Sequence, residues 1–300
     1  MITRLDDMFK VLKSQPSKRL IAAYANDSHT IGAVNKAVDM GLIEATLVGD
    51  KKAILKVCEE EKIDPSKFRI VHEEDEMKAA VKAVTLINKG EGALLMKGLV
   101  STDKYMRAIL DKENGLLPPK AILSHVTVME NPNYHKLLIF GDVAIIPQPE
   151  LKEKIAITNY VIQMAKALGI ETPKIALIAA TEQVSPKMQA CVDAALIAKM
   201  AERGQIKHAV VDGPLALDVA IDKESAEIKK LNSGVAGDAD GLVFPNIESG
   251  NVFYKTNTKL AKSELGAMLV GAKVPAVLSS RGDSIKTKLY SIAMAALSAR

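Results

Sequence analysis

Tryptophan is absent from the 300 residues, and aromatic side chains together make up only 4%. Stacking platforms for single-stranded nucleic acid and aromatic sugar-binding surfaces therefore have little material. The only cysteines are Cys58 and Cys191, each inside an apolar helical pattern, and two isolated thiols supply neither a disulfide framework nor a metal cluster. The histidines, His29, His72, His125, His135 and His208, are scattered without ligand spacing, so no metal is implied and each reads as a packing or surface residue. No apolar run approaches the roughly 20 residues that span a bilayer. The opening segment MITRLDDMFKVLKS carries acids and lysines where a signal peptide is apolar. No membrane association is expected, and the cytoplasm is the expected compartment. Also missing are a G-x-G-x-x-G after a strand, a G-x-x-x-x-G-K-[ST], an H-E-x-x-H, a C-x-x-C and a G-x-S-x-G, which removes the common nucleotide, zinc-hydrolase and serine-hydrolase signatures.

What is present is an ordinary globular balance, 48% hydrophobic and 25% charged, enough to fill a sizeable core. The net charge of +4, from 40 basic and 36 acidic residues, is spread along the chain without the dense basic block of a nucleic-acid binder. Buried strands are expected at Arg19 to Tyr24, Ala45 to Val48, Ala93 to Met96, Lys174 to Ala179, His208 to Val211, Gly241 to Phe244 and Ala272 to Leu278. Between several of them, as in Thr30 to Met40 and Pro186 to Arg203, apolar residues return every three or four positions and predict helices. Alternation of this kind predicts an α/β fold with mostly parallel sheets, whose ligands sit beyond the carboxyl ends of the strands. One stretch breaks the rhythm. Ala121 to Met129 and Lys136 to Ile146 are joined by Glu130-Asn131-Pro132-Asn133-Tyr134, which predicts an antiparallel hairpin. The expected lobes are residues 1–130 with 270–300, and residues 131–269.

Three segments carry candidate chemistry. Val274 to Leu278 runs into Ser279-Ser280-Arg281-Gly282-Asp283-Ser284 and then a helical pattern, Ile285 to Ser298. Helix N-terminal N–H groups, the hydroxyls of Ser280 and Ser284 and the Arg281 guanidinium would form an anion cradle. On the alternative reading Asp283 or Ser284 only caps the helix and Arg281 pairs with a surface acid. The second segment, Met96-Lys97-Gly98-Leu99-Val100-Ser101-Thr102 with Arg107 farther on, repeats the arrangement. There Ser101 or Thr102 either caps a helix or meets a second anionic group alongside Arg107. The third, from Gly234 to Asn251, combines glycines with Ser249 and Asn251 after a buried strand. Asp212-Gly213-Pro214, expected to follow a strand, is open in the same way, to ligand approach or to simple turns.

The segment LSSRGDSIKTKLYSIAMA resembles the strand, turn and helix that close the phosphate acetyl- and butyryltransferases, and the likeness continues through VAGDADGLVFPNIESGNVFYK, KMAERGQIKHAVVDGPLALD and ILSHVTVMENPNYHKLLIFGD. The last two segments are more similar to the butyryl branch. This resemblance implies a two-lobed α/β fold of the isocitrate/isopropylmalate dehydrogenase type, with the active site in the cleft between lobes and homo-oligomers built from dimers. It implies exchange of a short acyl group, butyryl, between CoA and inorganic phosphate, with acyl-CoA, phosphate and acyl phosphate as small-molecule partners and no tightly bound cofactor. The family's S-R-G/A serine and arginine fall on Ser280 and Arg281, and the arginine closing its S-T-x-x-x-x-R motif falls on Arg107. Ser101, Thr102, Ser249, Asn251 and Ser284 are the further substrate or CoA contacts. The acetyl branch carries an aspartate seven residues after the motif serine, where this chain has Thr287, and Asp283 is the substitute candidate for the thiol base. The alternatives are a phosphate acetyltransferase, a metal- and NAD-dependent decarboxylating dehydrogenase on the same fold, and a non-catalytic CoA-binding protein.

Overall fold

The computed structural model describes residues 1–278 and 283–299. The chain forms two compact units, one of Asp6–Leu123 with Leu265–Arg300 and one of Met1–Leu5 with Ser124–Glu264. They are called here the flanking and the middle unit.

The flanking unit opens with α1 (Asp7–Lys13), β1 (Lys18–Ala23), α2 (Ser28–Asp39), β2 (Ile43–Gly49), α3 (Lys51–Glu60), β3 (Phe68–His72), α4 (Glu76–Asn88), β4 (Leu94–Lys97) and α5 (Thr102–Leu110). A capping side chain opens α2, α3, α4 and α5. Asp27, Asp50, Asp75 and Ser101 accept the N–H groups of Thr30, Lys52, Lys78 and Lys104, satisfying donors that lack a partner in the first turn. Strand β1 pairs in parallel with β2 and β4, and β2 with β3. Leu20, Ile21, Ala22 and Ala23 are fully buried, as expected of a parallel strand covered on both faces.

The middle unit follows with β5 (Ser124–Glu130), β6 (Leu138–Gly141), α6 (Leu151–Ala167), β7 (Lys174–Ile178), α7 (Gln189–Glu202), β8 (Val210–Leu215), α8 (Leu217–Ile221), α9 (Lys223–Lys229), β9 (Gly241–Val243) and α10 (Ile247–Lys259). Strands β5 and β6 form the predicted antiparallel hairpin. The parallel pairs β6·β9, β9·β7 and β7·β8 continue it in the order β5-β6-β9-β7-β8. The first residues of the chain belong to this unit. Ile2 N–H donates to Leu168 at 2.8 Å, and Leu5 N–H donates to the Glu130 carboxylate at 2.8 Å. The chain then returns to the flanking unit through β10 (Glu264–Val270), β11 (Ala276–Val277) and α11 (Ile285–Ser298). There β11 joins β4 in parallel and β10 in antiparallel register, giving β3-β2-β1-β4-β11-β10.

The α/β class and mostly parallel pairing are as predicted, with local corrections. The strand expected over Ala272 to Leu278 is only Ala276–Val277. Pro275 has no N–H to give, and its carbonyl accepts Leu95 N–H at 3.1 Å. Asp212-Gly213-Pro214 is no loop after a strand but lies inside β8. A Cβ on Gly213 would stand 2.7 Å from Leu177 Cβ, so close strand packing, and not ligand approach, accounts for that glycine.

Candidate active site

In the flanking unit β1 leads through α2 and α3 to β2 and β3 on one side, while β4 lies on the other. The neighbours β1 and β4 therefore flank a topological switch point, where open parallel sheets bind ligands beyond the strands' carboxyl ends. Gly98 allows the two exits to touch. A Cβ there would lie 2.6 Å from the Tyr24 carbonyl oxygen, and Gly98 N–H and Leu99 N–H donate to the carbonyls of Ala23 and Tyr24 at 2.9 and 2.8 Å. Lys97, buried at the end of β4, donates through Nζ to the carbonyls of Val100 at 2.8 Å and Gly98 at 3.3 Å.

The candidate residues after β4 are brought together on the first two turns of α5. Ser101 is the cap. Its Oγ accepts Lys104 N–H, and its own N–H donates to Glu76 Oε1 at 2.6 Å. Lys104 Nζ bonds the other Glu76 oxygen. These contacts, the Lys104 hydrogen bond first, hold the Glu76 carboxyl below its usual range. Thr102 is exposed. Arg107 is exposed too, with Nε 3.0 Å from Asp103 Oδ2 one turn earlier, the ordinary (i, i+4) ion pair of a solvated helix face.

Beyond β11, Ser280 and Arg281 lie outside the described residues. Between the two capping possibilities for the next helix, Ser284 is the residue that caps α11. Its Oγ accepts Thr287 N–H at 3.0 Å and lies 3.0 Å from Thr287 Oγ1. Asp283 is half-buried and precedes the cap. Strand β11 is held from below by Tyr105, whose buried hydroxyl donates to the Val277 carbonyl at 3.3 Å. Burial pushes that phenol well above its usual pKa.

In the middle unit, Ser249 and Asn251 are in the first turns of α10, not in a loop. Ser249 is committed to the cap, its N–H and Oγ both donating to Asn246 Oδ1, at 2.9 and 2.8 Å. Asn251 Nδ2 donates to the Val143 carbonyl at 3.1 Å. A polar cluster that sequence reasoning missed stands where β5 begins beside the end of β6. Ser124 Oγ donates to Asp142 Oδ2 at 2.9 Å, while Asp142 Oδ1 accepts Ala144 N–H at 2.7 Å and Ile145 N–H at 2.9 Å. His125 is buried, and its Nδ1 has no hydrogen-bond partner among the described residues. Burial lowers its pKa, with the Asp142 charge opposing. Only strand pairing brings Asp142 opposite these residues, so no local motif announces the cluster. His72, expected as a packing or surface residue, groups with Asp50 and Glu74 within metal-ligand reach. That group is on the surface, and two of its members already bind backbone: His72 Nδ1 accepts Lys51 N–H at 3.2 Å and Asp50 Oδ1 accepts Lys52 N–H at 3.0 Å.

The family profile described as phosphate acetyl/butaryl transferase matches residues 75–296. The chain is 46% identical over 297 residues to the phosphate butyryltransferase of Clostridium acetobutylicum, covering 99% of this chain and 98% of that one. It is 40% identical over 280 residues to the phosphate acetyltransferase of Thermotoga maritima, covering 93% and 95%. Among solved structures, a branched-chain phosphotransacylase from Enterococcus faecalis V583 is similar at a TM-score of 0.81 and 32% identity, over 94% of this chain and 98% of that one.

Proposed function

From the membership of this chain in the phosphate acetyl/butyryltransferase family, which makes it an acyltransferase, we propose that it interconverts butyryl-CoA plus phosphate with butyryl phosphate plus CoA. The full-length similarity to a clostridial phosphate butyryltransferase carries the acyl choice. The reaction proceeds in a ternary complex. The CoA thiolate attacks the carbonyl carbon of the acyl phosphate, the C–S bond forms as the C–O bond to phosphate breaks, and the thiol proton passes to a base. A thiol of pKa near about 8.5 needs a shift of only about 1–2 units to ionise at neutral pH, so orientation of two anionic substrates is the larger task. Arg281 and Ser280 hold the phosphate as its charge develops, helped by the N-terminus of α11. Asp283 takes the thiol proton, since Thr287 carries no carboxylate.

Thr102 and Arg107 contact CoA phosphates, which requires Arg107 to exchange Asp103 for the ligand. Ser101, Ser249, Asn251 and Ser284, whose side chains bond backbone or cap groups, serve the substrates by holding the surrounding turns in shape. No tightly bound cofactor takes part. Among the described residues no helix is long and apolar enough to cross a membrane, and a cytoplasmic homo-oligomer built from dimers is the proposed state.

The acyl choice is tested by kcat/KM of the purified protein for butyryl-CoA and acetyl-CoA at saturating phosphate. Butyryl-CoA is expected to win by about 10-fold or more, since each methylene in an apolar pocket is worth about 1–3 kcal/mol. A preference for acetyl-CoA, the reading favoured by the Thermotoga relative, would overturn it.

A further inference from the structure

Helix α5 follows its cap Ser101 with Thr102, Asp103 and Lys104. In a self-contained capping box the cap hydroxyl accepts the N–H of the third helical residue, and a Glu or Gln at that position accepts the N–H of the cap. Here the third residue is Lys104, whose ammonium has no acceptor to return. The bond from Lys104 N–H to Ser101 Oγ is also long, at 3.4 Å, beyond the usual range for N–H to oxygen. A different helix supplies the acceptor. Glu76, the first residue of α4, takes Ser101 N–H on Oε1 at 2.6 Å, and its Oε2 bonds Lys104 Nζ. One carboxylate thus satisfies the N–H of the cap and holds the side chain that stands where a capping box has its own acceptor. Hydrogen bonds to an ionised carboxylate are the strong ones, whereas the Glu76–Lys104 ion pair is partly exposed and contributes little by charge alone. The turn that leads into α5 is held along its length. Gly98 and Leu99 donate to carbonyls at the exit of β1, and Lys97 Nζ donates to the Val100 carbonyl. Its last residue, Ser101, is tied to α4 through Glu76, and α4 packs against α5.

We infer that Glu76 is a positioning residue for CoA: by completing the cap of α5 it fixes the first turns of that helix, and with them Thr102 and Arg107, in the geometry that binds the CoA phosphates. This rests on the reading of α5 as a CoA contact given above. Glu76 itself touches no substrate. A carboxylate near a polyanionic ligand repels it, so if Glu76 acted through its charge alone, removing it would tighten CoA binding. Acting through the geometry of the turn, its removal weakens CoA binding, and the sign separates the two.

The test compares wild type with Glu76→Ala and Glu76→Gln. Both variants lack the charge, and Gln keeps an acceptor for Ser101 N–H. Three quantities are followed: the Kd for CoA by titration calorimetry, steady-state acyl transfer from butyryl-CoA to phosphate, and amide hydrogen exchange over the first turn of α5. In Glu76→Ala the Kd for CoA and the KM for butyryl-CoA should rise about 5–10-fold, with kcat and the KM for phosphate within about two-fold. First-turn amides of α5 should exchange about 10-fold faster or more. Glu76→Gln should stay within about two-fold of wild type in all three. A carboxylate with a merely structural role would lower Tm and the active fraction, and so the apparent kcat, at unchanged KM. That pattern would overturn the inference, as would tighter CoA binding in Glu76→Ala, a loss in Glu76→Gln equal to that in Glu76→Ala, or faster exchange in α5 without weaker CoA binding. If Glu76→Ala does not fold, Glu76→Ser, too short to reach Ser101, is read by the same criteria. Wild type that binds CoA but releases no thiol from butyryl-CoA would refute the acyl-transfer reading and leave the positioning role to the calorimetry; wild type that binds no CoA would overturn both.

Discussion

His125 is the residue whose environment departs furthest from what its neighbours in sequence suggest. Nothing in the run Ser124-His125-Val126 distinguishes a surface imidazole from one that is 5% exposed, because the partner strand that buries it arrives from residues 138–141. Ser284 was more legible, since a hydroxyl directly before an apolar helical pattern is an ordinary cap, and Ser249 was less so, being inside a helix where the sequence shows only polar groups after a buried strand. The burial of His125 has a measurable consequence. Burial lowers its folded-state pKa, against the pull of Asp142, so as pH falls below about 6.5, the pKa of a free imidazole, the unfolded chain takes up this proton first. The stability contributed by the neutral ring is complete above that pH and is lost as pH falls toward the folded value. Unfolding free energies of wild type and His125→Phe, measured from pH 8 to 5, should converge or cross in the acid direction as wild type loses stability relative to the variant. A difference independent of pH would contradict the buried neutral imidazole.

Among the elements, α11 could be read from its apolar period and its cap, and its bounds, Ile285–Ser298, are those expected. Two strands could not. Strand β3 carries Arg69 and His72 on an exposed edge and reads as polar. Strand β10 runs unbroken through Gly266, where a Cβ would sit 2.8 Å from the Tyr290 backbone, so a glycine that looks like a strand breaker is what lets α11 pack closely. The contact between α6 and α7 was likewise invisible in sequence. Lys154 Nζ lies 2.6 Å from Asp193 Oδ2 with both side chains buried, and Gln189 donates to the other carboxylate oxygen at 2.8 Å. Removing one partner strands a buried charge, so Asp193→Leu should destabilise the protein by about 3–5 kcal/mol. The double variant Lys154→Met/Asp193→Leu should recover most of that loss in denaturant unfolding. Additive losses in the double variant would mean that the two residues act independently.

At the scale of the whole molecule, the α/β class, the hairpin and the family were legible because strand–turn–helix alternation and the SRGDS segment are local patterns. The order of the strands was not, since β11 reaches its place beside β4 only after the middle unit intervenes. That order matters to the account, because it sets the exits of β4 and β11 side by side. The central claim is that the turn leaving β11 grips phosphate through Arg281, and the most direct measurement is phosphate-dependent thiol release from butyryl-CoA by wild type and Arg281→Lys, with Tm followed in parallel. A lysine keeps the charge but cannot hold two phosphate oxygens with a planar fork. The account predicts a loss of about 10–1,000-fold in kcat/KM, or about 1.4–4 kcal/mol of transition-state stabilisation, with Tm nearly unchanged. Wild-type turnover in Arg281→Lys at unchanged Tm would contradict it.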